Sequence, residues 1–295
     1  MLSIIIAAFK EPTISRAIAA ILCQNIKEKY ELIVAAPDTE TKATVNNFAR
    51  KHKQVKYFQD PGKGKSYALN LLFKKAKGDI LVFTDGDVYL DKDAINKLTE
   101  PFRHSDIGVV TGRPMPTNVK SNIFGYWSHL LCDAGAHAVR EELSKNGCFL
   151  ECSAYLMAVR SGIINKIPLD VAEDAIIPYY FYKRGFKIAY TPEAKVFVKY
   201  PDNFSDWLKQ KIRTAKAHET LLKHVHDFPK VKSFSNEVMF GWHRALKYSK
   251  NIKELFWTLL LFPARLWVWA NVVIEIKLLN KQYTDAWERI ESTKS

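Results

Sequence analysis

The chain has 295 residues, which is enough for one large α/β domain with an appendage or for two domains. Its hydrophobic content of 47% is ordinary for a globular protein that buries a sizeable core, and the lack of any internal repeat or low-complexity linker excludes the repeat architectures. The net charge of +13 suggests an anionic partner, namely a phosphorylated substrate, an anionic lipid surface or a nucleic acid, although a solubilising surface charge would look the same.

Four cysteines indicate the redox environment of the chain. Cys23, Cys132, Cys148 and Cys152 form no C-x-x-C pair and no zinc-binding spacing. We therefore expect reduced thiols in a cytosolic compartment. We also expect no signal peptide, because a strand pattern already begins at Leu2.

Strand and helix patterns alternate over the first 85 residues. The first strand is a continuous apolar run, which is typical of a strand covered on both faces. The predicted strands are 2–8, 31–36, 55–58 and 80–84, and the predicted helices between them are 11–25, 40–52 and 66–77. Alternation at this spacing predicts βαβ units and an α/β fold, with a mostly parallel nucleotide-binding sheet flanked by helices.

The fourth predicted strand ends in Asp85-Gly86-Asp87. Ligands of open α/β sheets bind at the carboxyl ends of the strands, and carboxylate oxygens together with phosphate oxygens suit Mg²⁺ or Mn²⁺. Gly86 lets the backbone turn tightly and approach a ligand. The alternative is a surface turn, since Asp and Gly are common turn residues. Neither dinucleotide fingerprint, G-x-G-x-x-G or G-x-x-x-x-G-K-[ST], is present, so we expect a different mode of nucleotide binding.

Three sequence blocks, at residues 3–11, 64–70 and 77–87, carry a family resemblance. They read SIIIAAFKE, GKSYALN and KGDILVFTDGD. In order and spacing they resemble the blocks of a family 2 glycosyltransferase with the GT-A fold, and the likeness extends over about residues 2–222.

The resemblance implies a nucleotide-sugar donor that lies across the first strand ends. Asp85, Gly86 and Asp87 would surround its diphosphate and a Mn²⁺ or Mg²⁺ ion, with Asp87 as the direct metal ligand. The diphosphate gains negative charge as the glycosidic bond breaks, and a divalent ion or fixed positive groups stabilise that charge. Lysines alone could supply part of this stabilisation.

Other residues are implied to bind the nucleoside end of the donor. Those that would contact it directly are Ala7, Ala8, Phe9 and Glu11. Lys65 would lie near the base or the diphosphate. Many family members carry an acidic pair after the second strand, where this chain has Ala35-Ala36-Pro37-Asp38. Asp38 would then take over the contact with the uracil or ribose.

A second acidic pair, Glu173-Asp174, opens a predicted helix that runs to Arg184. It resembles the family's Glu-Asp pair, which implies that Asp174 is the catalytic base and that the anomeric centre is inverted. A carboxylate within reach can accept the proton of an acceptor hydroxyl, whereas a phosphate acceptor, already ionised, would need the base less. The alternative is an acidic first turn favoured by the helix dipole.

The sequence predicts further elements around this second pair. They are a helix over 92–103 capped by Asp91, a strand over 107–111, a helical segment over 121–143, a strand over 152–159 and short strands over 187–190 and 194–200. Aromatic residues in the segment 121–143 either pack in the core or form a wall of an acceptor channel. Residues 151–154 replace a glycine-rich turn that family members often carry.

A basic amphipathic helix is predicted over 204–222. Its Gln210-x-x-Arg213 resembles the family motif Q-x-x-R-W, with Thr214 in place of the Trp. Arg213 would pair with the donor diphosphate, because a guanidinium forks well onto phosphate, and Gln210 would hydrogen-bond nearby. The missing Trp argues against processive polysaccharide synthesis. His218 is a candidate metal ligand together with Asp85 and Asp87, or else a structural histidine.

The segment 255–274 is apolar and long enough to span a membrane. Pro263, Arg265 and Asn271 interrupt it, and tryptophans, which prefer the membrane interface, are scattered along it. We predict two amphipathic helices, broken near Pro263, that lie in the interface; a single span and a core or dimer contact are the alternatives. Residues 203–295 hold 16 Lys and Arg against 9 Asp and Glu, a net +7 that favours anionic headgroups.

These inferences predict a GT-A glycosyltransferase domain over residues 1–222 and a helical, membrane-interfacial region over 223–295, with a frayed tail after Asp285. The predicted function is inverting, metal-dependent transfer of a sugar from a nucleoside diphosphate, expected to be UDP. The acceptor is expected to be lipid-linked, such as a polyprenyl phosphate or glycolipid, or a saccharide. The expected location is cytoplasmic, peripheral or monotopic at the cytoplasmic face of the cell membrane.

Three other functions stay open. A sugar-phosphate nucleotidyltransferase would need a glycine- and arginine-rich loop after the first strand, where residues 9–12 read FKEP. Nucleic-acid binding would need basic and aromatic residues on one platform, and the acidic clusters at 85–87 and 173–174 argue against a nucleic-acid partner. A catalytically silent membrane scaffold is the third.

Overall fold

A computed structural model describes residues 1–225, 237, 241–281, 283–284 and 290–294, without the side chain of residue 222. The strands of this part of the chain are β1 Leu2–Ala7, β2 Tyr30–Ala36, β3 Val55–Gln59, β4 Ile80–Asp85, β5 Val88–Leu90, β6 Ile107–Pro116, β7 Leu156–Arg160 and β8 Lys187–Val198. These eight strands form one sheet in the order β3-β2-β1-β4-β7-β6-β8-β5.

The helices of the described residues connect and cover the strands. They are α1 Ile14–Leu22, α2 Thr39–Lys51, α3 Lys65–Lys75, α4 Ala94–Thr99, α5 Ile123–Leu130, α6 Ala138–Lys145, α7 Glu173–Tyr182, α8 Phe204–His224, α9 Trp242–Tyr248 and α10 Ile252–Val273. The described residues also include π-helical turns at Leu131–His137, between α5 and α6, and at Ile274–Leu278, after α10.

The first half of the sheet is parallel. Strand β1 pairs with β2 and β4, and β2 pairs with β3, all in parallel. All six residues of β1 are buried, because the strand is bonded on both edges and covered on both faces. Ile4 and Ile6 pack in one hydrophobic cluster with Ile18 of α1, whereas Ile5 packs in another with Leu69 of α3. The sheet therefore lies between two layers of helices, as the alternation of strand and helix patterns in the sequence predicts.

The second half of the sheet is mixed. Strand β7 is antiparallel to β4 and β6, while β8 is parallel to β6 and antiparallel to β5. The two short strands predicted over 187–190 and 194–200 are one strand, because the ladder between β6 and β8 continues through a register shift at Thr111/Arg113. The predicted strand over 152–159 begins only at Leu156, and β5 was not predicted.

The predicted helix over 92–103 is shorter than expected. It ends at Thr99 and continues as a 3₁₀ turn to Arg103. The expected cap at Asp91 is wrong, since Asp93 holds the N-cap position and the Asp91 carboxylate accepts from its neighbour Lys92.

Helix α10 runs without a break through Pro263, so the predicted division into two helices is wrong. A proline inside a helix costs about 3 kcal/mol, and packing offsets this cost. Leu261, Ala264, Val268 and Val272 are buried in a cluster with residues of α5 and α8. Within the described residues, 252–278 form the single helix long and apolar enough to cross a membrane, which is weak evidence for a span.

Aromatic residues join the C-terminal helices to the α/β layer. The rings of Trp127 and Trp207 lie 5.1 Å apart, and the indole of Trp127 donates to the Trp257 carbonyl at 2.7 Å. Trp127 therefore packs in the core, which is the first of the two alternatives for the aromatic residues of the segment 121–143. Leu130 and Leu131 of the same segment line the cavity described below.

The structure contradicts part of the predicted frayed tail after Asp285, whereas the predicted domain boundary stays untested. Residues 290–294 are not frayed, because Ile290 is buried and the Ser292 amide donates to Asp206; residues 285–289 and 295 lie outside the described residues. The boundary between residues 222 and 223 stays a prediction, and α8 extends past it to His224.

A buried carboxylate ties the amino ends of the strands together. Glu31, at the start of β2, accepts from the Ser3 hydroxyl at 2.7 Å, the Lys77 amide at 2.8 Å and the Lys56 ammonium at 2.7 Å. The Ser3 hydroxyl accepts in turn from the Gly78 amide. Burial alone would raise the pKa of Glu31, but these three hydrogen bonds outweigh it and hold the pKa below its usual value.

This network predicts how stability depends on pH. Because the pKa of Glu31 is lowered by folding, its stabilisation is present above about pH 4.5 and is lost as the pH falls further. Glu31→Gln should lower the free energy of unfolding at pH 7 by about 1–2 kcal/mol and should flatten its decrease below pH 4.5. Urea unfolding from pH 7 to pH 3 measures both effects. Glu193→Gln, at an exposed position, is the control. If the free energy of unfolding fell equally steeply with pH in the unaltered chain and in both variants, the role given to Glu31 would be contradicted.

Candidate functional site

The loops after β1 and β4 meet at the carboxyl edge of the sheet. Ala7 of β1 pairs directly with Asp85 of β4, so the residues that follow each strand become neighbours. A side chain at Gly86 would lie only 3.0 Å from Ala8 and 3.3 Å from Glu11. The glycine therefore allows the two loops to approach closely.

A cavity of about 1520 Å³ opens at this edge. Of the residues singled out from the sequence, it is lined by Ala7, Ala8, Phe9, Glu11, Lys65, Asp85, Gly86, Asp87, Asp174, Gln210, Arg213 and His218. The loops after two strands, the start of α3, the start of α7 and one side of α8 thus contribute to a single site.

Asp38 is the exception among the predicted residues, because it does not line the cavity. Its carboxylate caps α2 by accepting from the Thr41 amide at 2.8 Å, and it also accepts from the Lys10 amide at 2.9 Å. Burial alone would raise the pKa of Asp38, but these hydrogen bonds lower it. Asp38 thus ties the loop after β1, where Lys10 has φ 47°, to the start of α2.

A lysine joins the two acidic motifs across the cavity. The Lys65 ammonium lies 2.7 Å from Asp85 and 2.6 Å from Glu173. Its side chain is only 13% exposed. Burial lowers the pKa of Lys65, but the two carboxylates outweigh it and hold the pKa well above its usual value. The sequence pointed to Lys65 and to the acidic pair separately, without the contact between them.

Asp174 is held by the loop that precedes β7. Its carboxylate accepts from the Ala154 amide at 3.3 Å. Ala154 belongs to the residues that replace the family's glycine-rich turn, so their backbone approaches the start of α7 without glycine. Asp174 lines the cavity one residue beyond Glu173.

Helix α8 forms the wall of the cavity that contains Gln210, Arg213 and His218. Gln210 is buried and Arg213 is half-buried. His218 Nδ1 lies 3.6 Å from the carboxylate of Glu151. Among the described residues, no group of three or more His, Cys, Asp or Glu side chains is placed to hold a metal ion. The metal role of Asp85, Asp87 and His218 stays a prediction.

A second lysine enters the site from the C-terminal segment. The Lys294 ammonium lies 2.7 Å from Glu11 and 2.6 Å from Asp87. Glu11 also accepts from the amide and hydroxyl of Thr13 through its other oxygen. No local sequence signal marks Lys294, since it lies 207 residues from Asp87 and outside every motif.

The part of the cavity away from the ends of β1 and β4, here called the far half, is lined by Arg113 and Arg140 and by apolar side chains. Arg113 pairs with Asp133 at 3.1 Å. Arg140 is 7% exposed and donates to the carbonyls of Glu151 and Cys152. Among the described residues, its Nη1 atom has no hydrogen-bond partner. Sequence reasoning missed both arginines; Arg113 lies within β6, beyond the predicted end of that strand, and nothing local distinguishes Arg140 from a surface residue.

Sequence comparisons identify one family. A family model described as "Glycosyltransferase like family 2" matches residues 1–217. The chain is 24% identical over 241 residues to poly-beta-1,6-N-acetyl-D-glucosamine synthase of Staphylococcus aureus, which covers 79% of this chain and 58% of that protein. The chain therefore spans less than two thirds of the length of this relative.

Solved structures share the fold. The mannosyltransferase PcManGT from Pyrobaculum calidifontis, in complex with GDP-Man and Mn²⁺, superposes with a TM-score of 0.66 at 17% identity, over 95% of this chain and 86% of that one. TarS of S. aureus in complex with UDP-GlcNAc superposes with a TM-score of 0.51 at 16% identity, over 96% and 92%. The likeness confirms the predicted GT-A-type α/β fold.

The bridge through Lys65 can be tested by stability measurements. Lys65→Met leaves Asp85 and Glu173 without their shared cation, so we expect the free energy of unfolding to fall by about 3–5 kcal/mol at pH 7. Burial raises the pKa of Asp85 and the Lys65 ammonium lowers it, so this pKa should rise further in the variant, and the deficit should shrink as the pH falls from 7 to 5. Urea unfolding at both pH values measures this.

Two further variants make the test specific. Lys65→Met/Asp85→Asn should recover part of the stability, because one of the unpaired charges is removed. Lys63→Met, on the exposed side of the same turn, is the matched control. A deficit that is independent of pH and is not relieved by the second substitution would show that Lys65 acts through packing alone.

Proposed function

The chain belongs to the glycosyltransferase-like family 2, and we propose that it transfers a sugar from a UDP-sugar to a lipid-linked acceptor. The transfer inverts the configuration at the anomeric carbon. The observation that carries this proposal is the convergence of Asp87, Asp174 and Arg213 on one cavity. A transfer reaction needs a group for the leaving diphosphate and a base for the acceptor, both within one site.

The donor is assigned to the carboxyl ends of β1 and β4. The backbone of Ala7, Ala8 and Phe9 and the side chain of Glu11 contact its nucleoside, and Arg213 binds the diphosphate through its planar fork of donors. Lys65 is already shared by two carboxylates. Its role is to fix the position of Asp85 relative to the start of α7, beside the diphosphate. Asp38 acts indirectly, through the loop that carries Phe9 and Lys10.

Asp85 and Asp87 would hold a divalent cation, Mn²⁺ or Mg²⁺, together with oxygens of the diphosphate, and His218 is the further candidate ligand. The oxygen donors of the two carboxylates suit a hard cation. PcManGT is a relative in fold whose structure contains Mn²⁺. Such an ion stabilises the charge that develops on the leaving diphosphate.

Asp174 is assigned the role of catalytic base. The acceptor hydroxyl attacks the anomeric carbon from the face opposite the diphosphate and gives its proton to the Asp174 carboxylate. The Ala154 amide donates to one oxygen of that carboxylate, and Asp174 lines the cavity in which the acceptor would bind. Attack from the opposite face inverts the configuration.

The acceptor is assigned to the far half of the cavity. Arg140 presents a buried guanidinium whose Nη1 has no hydrogen-bond partner within the described residues, which favours an anionic group such as a lipid phosphate. Leu261 and Leu266 of α10 line the same cavity, and apolar side chains suit a lipid chain. We assign a glycolipid whose sugar hydroxyl reaches Asp174 and whose phosphate reaches Arg140.

The outer face of α10 is assigned to an anionic membrane surface. Its exposed apolar side chains include Phe256, Leu259 and Trp267, each at least 50% exposed. The lysines at its two ends are Lys247, Lys250, Lys253, Lys277 and Lys281. An apolar face flanked by lysines favours binding in the interface of an anionic bilayer. The protein would then be peripheral or monotopic at the cytoplasmic face, in keeping with four free cysteines.

Asp174→Asn tests the assigned base. The variant should lose at least about 100-fold in sugar transfer, while its affinity for donor nucleotide stays the same, because the change removes a proton acceptor and keeps the shape. A screen of UDP- and GDP-sugars with Mn²⁺ first identifies the donor, and transfer to lipid extracts is then measured. Asp106→Asn, an exposed carboxylate paired with Lys187, is the control. A loss of less than threefold would overturn the hydroxyl acceptor in favour of an already ionised phosphate.

Paired charge insertions test the membrane surface. Phe256→Glu/Leu259→Glu should reduce binding to phosphatidylglycerol vesicles by about tenfold or more, since two charged groups replace apolar ones in the interface. Leu169→Glu, an exposed leucine outside α10, should bind as the unaltered chain does. Sedimentation with vesicles measures the bound fraction, and phosphatidylcholine vesicles test the need for negative charge. Equal sedimentation of all three proteins would refute the assignment.

A further inference from the structure

Residues 290–294 are anchored beside the donor end of the cavity. Ile290 is 5% exposed, and the Ser292 amide donates to the Asp206 carboxylate at 3.1 Å. The Thr293 hydroxyl donates to the Ile290 carbonyl at 2.7 Å within a single 3₁₀ turn. These contacts direct the next residue, Lys294, into the cavity.

Lys294 connects the two loops that form the proposed donor site. Its ammonium lies 2.7 Å from Glu11, in the loop after β1, and 2.6 Å from Asp87, in the loop after β4. The lysine side chain is 17% exposed and that of Glu11 is 2% exposed. The pair is therefore largely shielded from water, which strengthens the attraction between the charges.

The same two carboxylates are the ones that the proposed function assigns to the nucleoside and to a divalent cation. A donor cannot reach Glu11 while the Lys294 side chain lies against it. A cation near Asp87 would share a carboxylate with an ammonium of like charge, which repels it. Occupation by Lys294 and occupation by donor with its cation therefore exclude each other.

A helper role for Lys294, as a fixed positive charge for the diphosphate, is the competing explanation. Lys65 has a fixed place in the first turn of α3 and holds two carboxylates there. Lys294 instead arrives on a separate segment, and its single charge is matched by two carboxylates at hydrogen-bond distance. The charge left in its surroundings is negative, which does not favour a diphosphate.

We propose that residues 290–294 are a displaceable occupant of the donor site, and that Lys294 must leave Glu11 and Asp87 before a nucleoside diphosphate and its cation can bind. This inference rests on the proposed function, because it identifies which ligand the segment excludes. The fraction of molecules with a free site then sets the apparent affinity for the donor.

The first experiment compares nucleotide affinity in the full chain and in Lys294→Gln, which removes the charge and leaves a polar side chain one atom shorter. UDP and GDP, each with Mn²⁺, are titrated by calorimetry. We expect Lys294→Gln to bind the preferred nucleotide about tenfold more tightly, because the competing ion pairs are gone. Lys187→Gln, which removes a lysine paired with Asp106 away from the cavity, should leave the affinity unchanged. Equal or weaker binding by Lys294→Gln would overturn the proposal and favour the helper role.

The second experiment follows Lys294 itself. Brief acetylation with detection by mass spectrometry should modify Lys294 slowly in the free protein and several-fold faster once nucleotide and Mn²⁺ are bound. Fast modification in the free protein, or no change on binding, would overturn the proposal. If neither the full chain nor Lys294→Gln bound any nucleotide, the proposed function would fail with it, whereas tight binding of equal strength in both would overturn only this inference.

Discussion

Five carboxylates converge at the carboxyl edge of the sheet, and their mutual repulsion is the constraint on which the rest of the site depends. Glu11, Asp85, Asp87, Glu173 and Asp174 line one cavity, where like charges are less screened than in water. Two lysines relieve the repulsion, and each does so by bridging a pair of carboxylates from different elements. In the folded chain ammonium groups supply the positive charge that these carboxylates need.

The C-terminal helix α10 connects this site to the molecular surface. Its inner face packs against α5 and α8 and closes the far half of the cavity, while its outer face keeps an apolar surface in contact with solvent. Arg265, a charge within the apolar segment, is neutralised by Glu237 at 2.7 Å. The helix therefore accommodates both a proline and a charge, because tertiary partners compensate for each.

Periodicity predicted the parallel half of the sheet well, since β1, β2 and β4 are covered on both faces and such strands have continuous apolar runs. It failed where pairing determines the structure. Strand β8 looked like two strands, because only its ladder with β6 carries it across the residues between them. Helix α10 looked broken, because the packing that offsets Pro263 comes from helices more than 30 residues away in the chain.

The same division holds for the site. The sequence alone determined the candidate acidic and basic residues of the site, because Asp85-Gly86-Asp87 stands at the end of a strand, Glu173-Asp174 opens a helix and Arg213 stands in a local Q-x-x-R pattern. Only the tertiary structure decided which of these charges neutralise one another. Ion pairs form between residues far apart in the chain, such as Lys65 with Glu173 and Lys294 with Glu11. Their formation depends on distances of a few ångströms that the folded sheet sets and that no local pattern encodes.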